Sequence, residues 1–159
     1  MIINGNTLLF RAPIKNMINE KRREHGVSYG LSEAGYDIRI KQAITFTAIN
    51  TVLVDGNHSD GNFTIASAIE EFQLPLDLVG IVHDKSTWAR RGLSVFNTVI
   101  ESGWCGFLTL ELVYHGRDPL HIPAGAGIAQ VVFHQTSDLA KYDGKYQNQP
   151  DQPVKAILR

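Results

Sequence analysis

The segment KSTWARRGLSVFNTVIESGWCGFLTLE, residues 85–111, is the part of the chain that best indicates both its fold and its site. It opens with small hydroxyls and cations and closes on one carboxylate, Glu111, inside the apolar run FLTLELVY. Hydroxyls and cations suit a polyphosphate. A carboxylate among β-forming residues suits proton transfer when it is buried. The two ends lie about one hairpin apart, so the segment predicts a nucleotide-processing site on a β-rich scaffold.

The sequence around this segment alternates between short strand-like runs and turn residues. The predicted strands after residue 35 are YDIRI, AITFTAINTVLV, NFTIASAI, LVGIVH, FLTLELVY, PLHIP and GIAQVVFHQ. Glycine- and proline-rich turns, among them DGNHSDGN, separate them. One early helix is expected over residues 14–25, where Ile14, Met17 and Ile18 share a face. This pattern predicts a mainly β fold, a barrel or a sandwich, with one short N-terminal helix.

Length and composition favour one soluble globular domain spanning residues 1–159. The chain has 43% hydrophobic and 19% charged residues and a net charge of −1, so no field of one sign draws it toward nucleic acid or a membrane. No apolar run could span a bilayer, and the start MIINGNTLLFRAP lacks the pattern of a signal peptide. We therefore expect a cytoplasmic protein. Cys105 is the only cysteine and the six histidines are scattered, so no zinc-site pattern is present.

Each candidate residue has a plainer alternative. Glu111 shares a strand face with Phe107 and Thr109, which could be a solvated face; in a pocket, its pKa should rise and it could act as a general base. Ser86 and Thr87 follow the strand LVGIVH, where a helical turn would gather backbone N–H groups and hydroxyls. The alternative there is a helix capped by Ser86 with solvated arginines.

The residues after 137 form a polar and aromatic tail. Its last stretch, KYDGKYQNQPDQPVKAILR, contains two prolines and little that could form a core. We expect residues 138–159 to become ordered only against a ligand or a neighbouring subunit.

Six motifs, in order along the chain, resemble the dCTP deaminase branch of the dUTPase-like trimeric superfamily. They are GYDIRI (35–40), LPLDLVG (74–80), KSTWARRGL (85–93), IESGWCGFLTLE (100–111), PAGAGIAQ (123–130) and KYQNQ (145–149). The resemblance implies a distorted, jelly-roll-like β-barrel subunit and a homotrimer with sites shared between adjacent subunits. It also implies deamination of dCTP to dUTP and ammonia without zinc, with Mg²⁺ accompanying the triphosphate.

The resemblance also implies roles for particular residues. Glu111 would be the catalytic carboxylate, Ser86 would hold the attacking water, and Arg90 would orient and stabilise the site. The resemblance also places a set of residues around the nucleotide: Lys85, Ser86, Thr87 and Arg90 in the nucleotide-contacting loop, Glu101 near the deoxyribose, Thr109 and Leu110 under the base, and Tyr142, Lys145 and Gln149 in the closing tail.

The chain departs from the family pattern at several positions. Lys85 stands in place of an arginine, Glu101 stands in place of an aspartate, and the stretch RRGLSVFNTVIE is short. A dUTP diphosphatase, or a bifunctional deaminase and diphosphatase, is therefore kept as an alternative. Against a plain diphosphatase stand Glu111 and an ending without glycine, NQPDQPVKAILR. A non-catalytic nucleotide-binding regulatory trimer is the alternative of another class.

Overall fold

The computed structural model describes residues 1–159, and its regular secondary structure consists mainly of strands. The two helices are short, α1 (Gly5–Arg11) and α2 (Ser86–Ala89). The strands are β1 (Ile2–Ile3), β2 (Lys21–Glu24), β3 (Val27–Leu31), β4 (Tyr36–Arg39), β5 (Ile44–Phe46), β6 (Thr51–Val54), β7 (Asn57–Asp60), β8 (Phe63–Gln73), β9 (Leu78–Asp84), β10 (Leu93–Val95), β11 (Val99–Ile100), β12 (Cys105–Tyr114), β13 (Leu120–Ile122) and β14 (Gly127–Gln135). No helix has the length and apolar character needed to cross a membrane.

The strands form three antiparallel sheets. The largest has the order β11-β9-β14-β4-β3-β2, with β1 also paired to β14; the others are β10-β12-β8 and β13-β5-β6-β7. A single cluster of 32 buried hydrophobic residues fills the space between them, including Tyr36, Phe46, Phe72 and Phe133. The mainly β prediction is confirmed. The sheets do not close into a continuous barrel, so the barrel description holds only loosely.

The prediction of a helix over residues 14–25 is wrong. Ile14 instead forms an isolated bridge with Phe72, and the charged run KRRE becomes the exposed edge strand β2. His25 and Gly26 have φ of 54° and 78° and close a tight hairpin between β2 and β3. A two-residue turn of this hand matches the twist of the paired strands, and it outweighs the weak helical pattern. The N-terminal helix lies earlier, at Gly5–Arg11.

The segment DGNHSDGN, expected to be a turn, contains a strand. Asp55 and Gly56 have φ of 48° and 81° and form a hairpin turn, after which Asn57–Asp60 pairs with β6. All four residues of β7 are exposed, so the strand carries no hydrophobic alternation that could reveal it in the sequence.

The β8–β12 pair holds the segment that carries Glu111. The two strands are antiparallel, with Glu111 opposite Ile65 and Thr109 opposite Ser67. The register shifts between Phe107 and Thr109, which marks a β-bulge at this point. Bulges bend a strand and redirect its side chains, and they are common beside functional sites.

Candidate active site

A cavity of about 640 Å³ lies between β8, β12, the residues around β11 and the C-terminal tail. Its volume falls within the usual range for a small-molecule site, roughly 300–1,000 Å³. Five residues expected around a nucleotide line it: Glu101, Thr109, Glu111, Tyr142 and Gln149. These residues come from β12, from the turn before it and from the tail, so the fold brings together parts of the chain that are up to 48 positions apart.

Glu111 is the half-buried carboxylate of this cavity. Its side chain forms no hydrogen bond with any other residue and takes part in none of the eight ion pairs of the chain. Burial raises the pKa of Glu111, and only a backbone hydrogen bond opposes that shift. It is therefore neither fully solvated nor neutralised by an arginine. An unpaired carboxylate with a raised pKa inside a pocket has the properties of a general base.

The bulge in β12 changes which side chains reach the cavity. The expected alternation placed Leu108 on the face opposite Thr109 and Glu111, but all three line the cavity. Leu110 does not line it: its side chain is only 1% exposed and belongs to the hydrophobic core. Leu110 was predicted to lie under the base. Because its side chain points into the core and away from the cavity, only its backbone could contact the base.

The tail lies along β12 of its own chain, so its order does not depend solely on a ligand or a neighbour. The amide of Phe107 donates to the carbonyl of Gln149 (3.1 Å), and the amide of Asn148 donates to the carbonyl of Cys105 (2.9 Å). The indole of Trp104 donates to the carbonyl of Tyr146 (2.6 Å). Thr109 donates its hydroxyl to the Gln149 side chain at 3.2 Å. This network closes one side of the cavity.

Gly106 makes this docking possible. Its φ is +129°, and an added Cβ would lie 2.5 Å from the amide nitrogen of Gln149 and 2.8 Å from its carbonyl oxygen. Both neighbours are backbone atoms that cannot move aside as a side chain could. A residue with a side chain at 106 would therefore push the tail away from β12.

The loop expected to hold phosphate lies outside the cavity. As predicted, strand β9 passes into a helical turn, α2, and Ser86, Thr87 and Arg90 are exposed there. Ser86 is the first residue of α2 and not its cap, because Lys85 occupies the cap position and makes no side-chain capping bond. None of the residues 85–90 lines the cavity that contains Glu111. Within one chain, the loop and the carboxylate are separate surfaces.

Lys85 is held by other side chains of its own chain. Its ammonium contacts the Asp37 carboxylate at 2.5 Å and the Ser28 hydroxyl at 2.9 Å, and the side chains of Lys85 and Asp37 are 11% and 4% exposed. Oδ1 of Asp37 is buried without a hydrogen-bond partner. A phosphate group at Lys85 would have to share this ammonium with Asp37.

Several lining residues were not predicted. Phe63, Ile65, Thr98 and Trp104 lie in the wall together with Tyr146 and Lys155. Tyr146 lies inside the motif KYQNQ and was the most accessible to sequence reasoning. Lys155 had no sequence signal, because the cavity forms only when the tail folds back onto β12.

Lys145 is placed differently from the other predicted tail residues. Its ammonium donates to the carbonyl of Ile157, and its side chain does not line the cavity.

No group of three or more histidine, cysteine, aspartate or glutamate side chains is arranged to hold a metal ion.

The fold is that of the dUTPase-like proteins. The EIAV dUTPase superposes with a TM-score of 0.54 at 18% identity, covering 79% of this chain and 90% of that protein. A dUTPase of Staphylococcus bacteriophage 80alpha, solved with dUpNHpp, gives 0.54 at 16% identity over 82% and 91% of the two chains. The dUTPase of the S. aureus phage phi11, described with a structural Mg(II) ion, also gives 0.54 at 14% identity over 85% and 94%. At these identities the likeness establishes the fold alone.

Sequence comparison defines the branch of this superfamily. The dCTP deaminase-like family model matches residues 58–136. The dCTP deaminase of Roseiflexus castenholzii is 36% identical, with 86% of each chain covered. That of Acidobacterium capsulatum is 33% identical over 94% of this chain and 96% of its own length. The chain belongs to the dCTP deaminase family.

Proposed function

We propose that this protein is a dCTP deaminase, which hydrolyses the 4-amino group of the cytosine nucleotide to give dUTP and ammonia. The observation that carries the proposal is Glu111. It is the unpaired, half-buried carboxylate with a raised pKa in a cavity of nucleotide size, in a chain of this family. A solvated Glu111, or one bound by a structural arginine, would favour the regulatory alternative; within the chain, Glu111 is half-buried and pairs with no arginine.

In the proposed reaction, Glu111 takes a proton from a water molecule whose oxygen attacks C4 of cytosine. The resulting tetrahedral centre collapses as the C4–N bond breaks and the amine leaves. Of the two protons of the water, one ends on N3 of the new uracil ring and one on the departing ammonia. A single carboxylate can move both protons when burial brings its pKa nearer to neutrality.

The water and the tetrahedral centre need fixed donors, which we assign to Ser86 and Arg90. Because residues 85–90 lie outside the cavity of their own chain, we propose that a neighbouring subunit supplies them in a homotrimer with shared sites. The exposure of Ser86, Thr87 and Arg90 supports this assignment. Lys85 would contribute mainly by holding the loop through its contact with Asp37.

The remaining contacts follow from the cavity wall. We assign Glu101 to the deoxyribose and Thr109 to the base, with Tyr142 and Gln149 in the tail that closes the site. Lys145 lies outside the cavity wall, and its assignment to the closing tail rests on the motif KYQNQ alone. Mg²⁺ usually binds through phosphate oxygens, water and one or two carboxylates. We propose that a Mg²⁺ ion arrives with the triphosphate and is held mainly by the phosphate oxygens. We assign the protein one domain, residues 1–159, with 138–159 as the closing tail.

A substrate panel tests the proposal. The full-length protein is incubated with Mg²⁺ and dCTP, CTP, dCMP, a 5-substituted dCTP or dUTP, and ammonia and pyrophosphate are measured. We expect ammonia from dCTP and no pyrophosphate from dUTP. Ammonia from no cytosine nucleotide would disprove deamination. Pyrophosphate from dUTP together with ammonia from dCTP would establish the bifunctional alternative. Active protein that sediments as a monomer would disprove shared sites.

A further inference from the structure

The segment from Val154 to Ala156 lines the cavity and brings Lys155 to its wall. We infer that Lys155 is a phosphate-binding residue that a chain's own tail supplies to the nucleotide site. This inference rests on the proposed function. It adds a residue that determines affinity for the triphosphate and that lies outside the motif KYQNQ.

The charge of the cavity is the first reason. Its wall contains two carboxylates, Glu101 and Glu111, and Lys155 is the only lysine or arginine in it. A triphosphate entering a site with two carboxylates and no cation would be repelled. Within one chain, Lys155 supplies the only positive charge in the cavity wall that could offset this repulsion.

The free state of the Lys155 ammonium is the second reason. It forms no ion pair and no hydrogen bond with the rest of the chain. Two other lysines at the tail are engaged, since Lys145 donates to the carbonyl of Ile157 and Lys41 pairs with Asp151 at 2.5 Å. Burial alone accounts for the raised pKa of Glu111, so the Lys155 ammonium does not neutralise that carboxylate. It is available to an anion.

The anchored backbone is the third reason. The amide of Val154 donates to the hydroxyl of Thr109 at 3.0 Å, and the amide of Ile157 donates to the hydroxyl of Tyr146 at 3.0 Å. In the docked tail, one hydrogen bond therefore anchors the backbone on each side of Lys155, while the side chain keeps a flexible stem of four carbons. An ammonium on such a stem suits a phosphate group, which it can meet as a point charge from several directions.

Binding measurements on the full-length protein test this inference. Calorimetry in the Glu111→Gln background, where the nucleotide is not turned over, gives the Kd for dCTP and for dCMP. Lys155→Ala should raise the Kd for dCTP about tenfold, in line with loss of a charge-assisted contact. It should change the Kd for dCMP less than twofold, because the outer phosphates are absent. Lys155→Arg should keep most of the affinity for dCTP.

Arg159→Ala is the matched control, since it removes one exposed positive charge from the same tail. It should leave both dissociation constants unchanged. Unchanged dCTP binding in Lys155→Ala would overturn the inference. So would an equal loss for dCTP and dCMP, which would mean that Lys155 only shapes the tail. Because binding is measured and not ammonia, failure of the deaminase proposal with intact dCTP binding would be seen separately.

Discussion

Glu111→Gln should separate catalysis from stability. Glutamine has nearly the same shape as glutamate, and the Glu111 side chain makes no bond within the chain that the substitution could break. The change replaces the ionisable carboxylate with a neutral amide that cannot take up the proton. General acid–base catalysis contributes about 10²–10⁴-fold, so kcat should fall by that factor, or by about 3–5 kcal/mol of activation free energy. The Kd for dCTP should stay within about threefold, as expected for a site that keeps its shape.

The same substitution should not destabilise the fold. Because burial raises the pKa of Glu111 in the folded protein, folding favours its protonated form. That contribution to stability is fully present below the unfolded-state pKa and is lost as the pH rises through the folded-state value. At neutral pH the ionised carboxylate is therefore a net cost, which the neutral amide removes. Glu111→Gln should melt at the same temperature as the wild type or above it.

The assay follows ammonia release from dCTP, with thermal unfolding measured on the same samples. Glu71→Gln is the matched control, because Glu71 also lies in the β8–β12 sheet but forms an exposed ion pair with Lys15. An exposed pair contributes only about 0–1 kcal/mol, so kcat of this control should not change. Near-normal turnover in Glu111→Gln would refute the mechanism. A clear drop in its melting temperature would refute the claim that Glu111 is an unpaired, desolvated carboxylate.

Three further outcomes follow from the same structure. On the acid side of the pH profile, kcat/KM for dCTP should fall with a midpoint pH above the ordinary glutamate pKa of about 4.3, because Glu111 must be ionised to act and burial raises its pKa. A midpoint at or below the ordinary value would contradict its role as the buried base. Gly106→Ala should release Gln149 and the rest of the tail from β12 and raise the KM for dCTP at least tenfold, because an added Cβ would lie 2.5 Å from the backbone nitrogen of Gln149. An unchanged KM would show that the docked tail is not needed for binding. Asp37→Ala should lower the free energy of unfolding by about 3–5 kcal/mol, because it leaves the buried Lys85 ammonium without its carboxylate partner. Thermal unfolding measures this loss, and adding Lys85→Met to the same protein should restore part of it. A loss below about 1 kcal/mol would contradict a buried pair.

Much of the fold could be predicted because its strands carry either a hydrophobic alternation or a continuous apolar run. Strands β8, β9, β12 and β14 each coincide with a predicted segment. The errors fall where that signal is absent. β2 and β7 are fully exposed and are defined by their hairpin turns and partners alone. A pattern that depends on one buried face cannot reveal a strand that buries neither.

The candidate site was predictable as a set of residues but not as an arrangement. Glu111 and Thr109 reach the cavity because strand alternation holds from 109 onward. Leu108 reaches it because of a bulge, which depends on the pairing with β8 and has no local signature. Lys155 reaches it because the tail folds back over a long distance along the chain. Such a contact depends on Gly106 and on the carbonyl and amide groups of β12, which a linear motif does not describe.

The tail is divided into two parts that should respond differently to a nucleotide. Residues 147–149 lie against β12 through backbone bonds and a bridge between Gly106 and Gln149. Residues 150–157 are held by separate contacts and not by strand pairing. Asp151 pairs with Lys41, the amides of Val154 and Ile157 donate to the hydroxyls of Thr109 and Tyr146, and the Lys145 ammonium donates to the carbonyl of Ile157. Hydrogen bonds of this kind contribute about 0.5–1.5 kcal/mol each. Because these contacts are not part of a strand pairing, we expect the second part to open locally at a lower cost than the first. Such an opening would let a nucleotide reach Glu111 without undocking the whole tail. The proposed contact of Lys155 with the phosphates would then form as the second part closes again, and the affinity gained there would favour the closed tail.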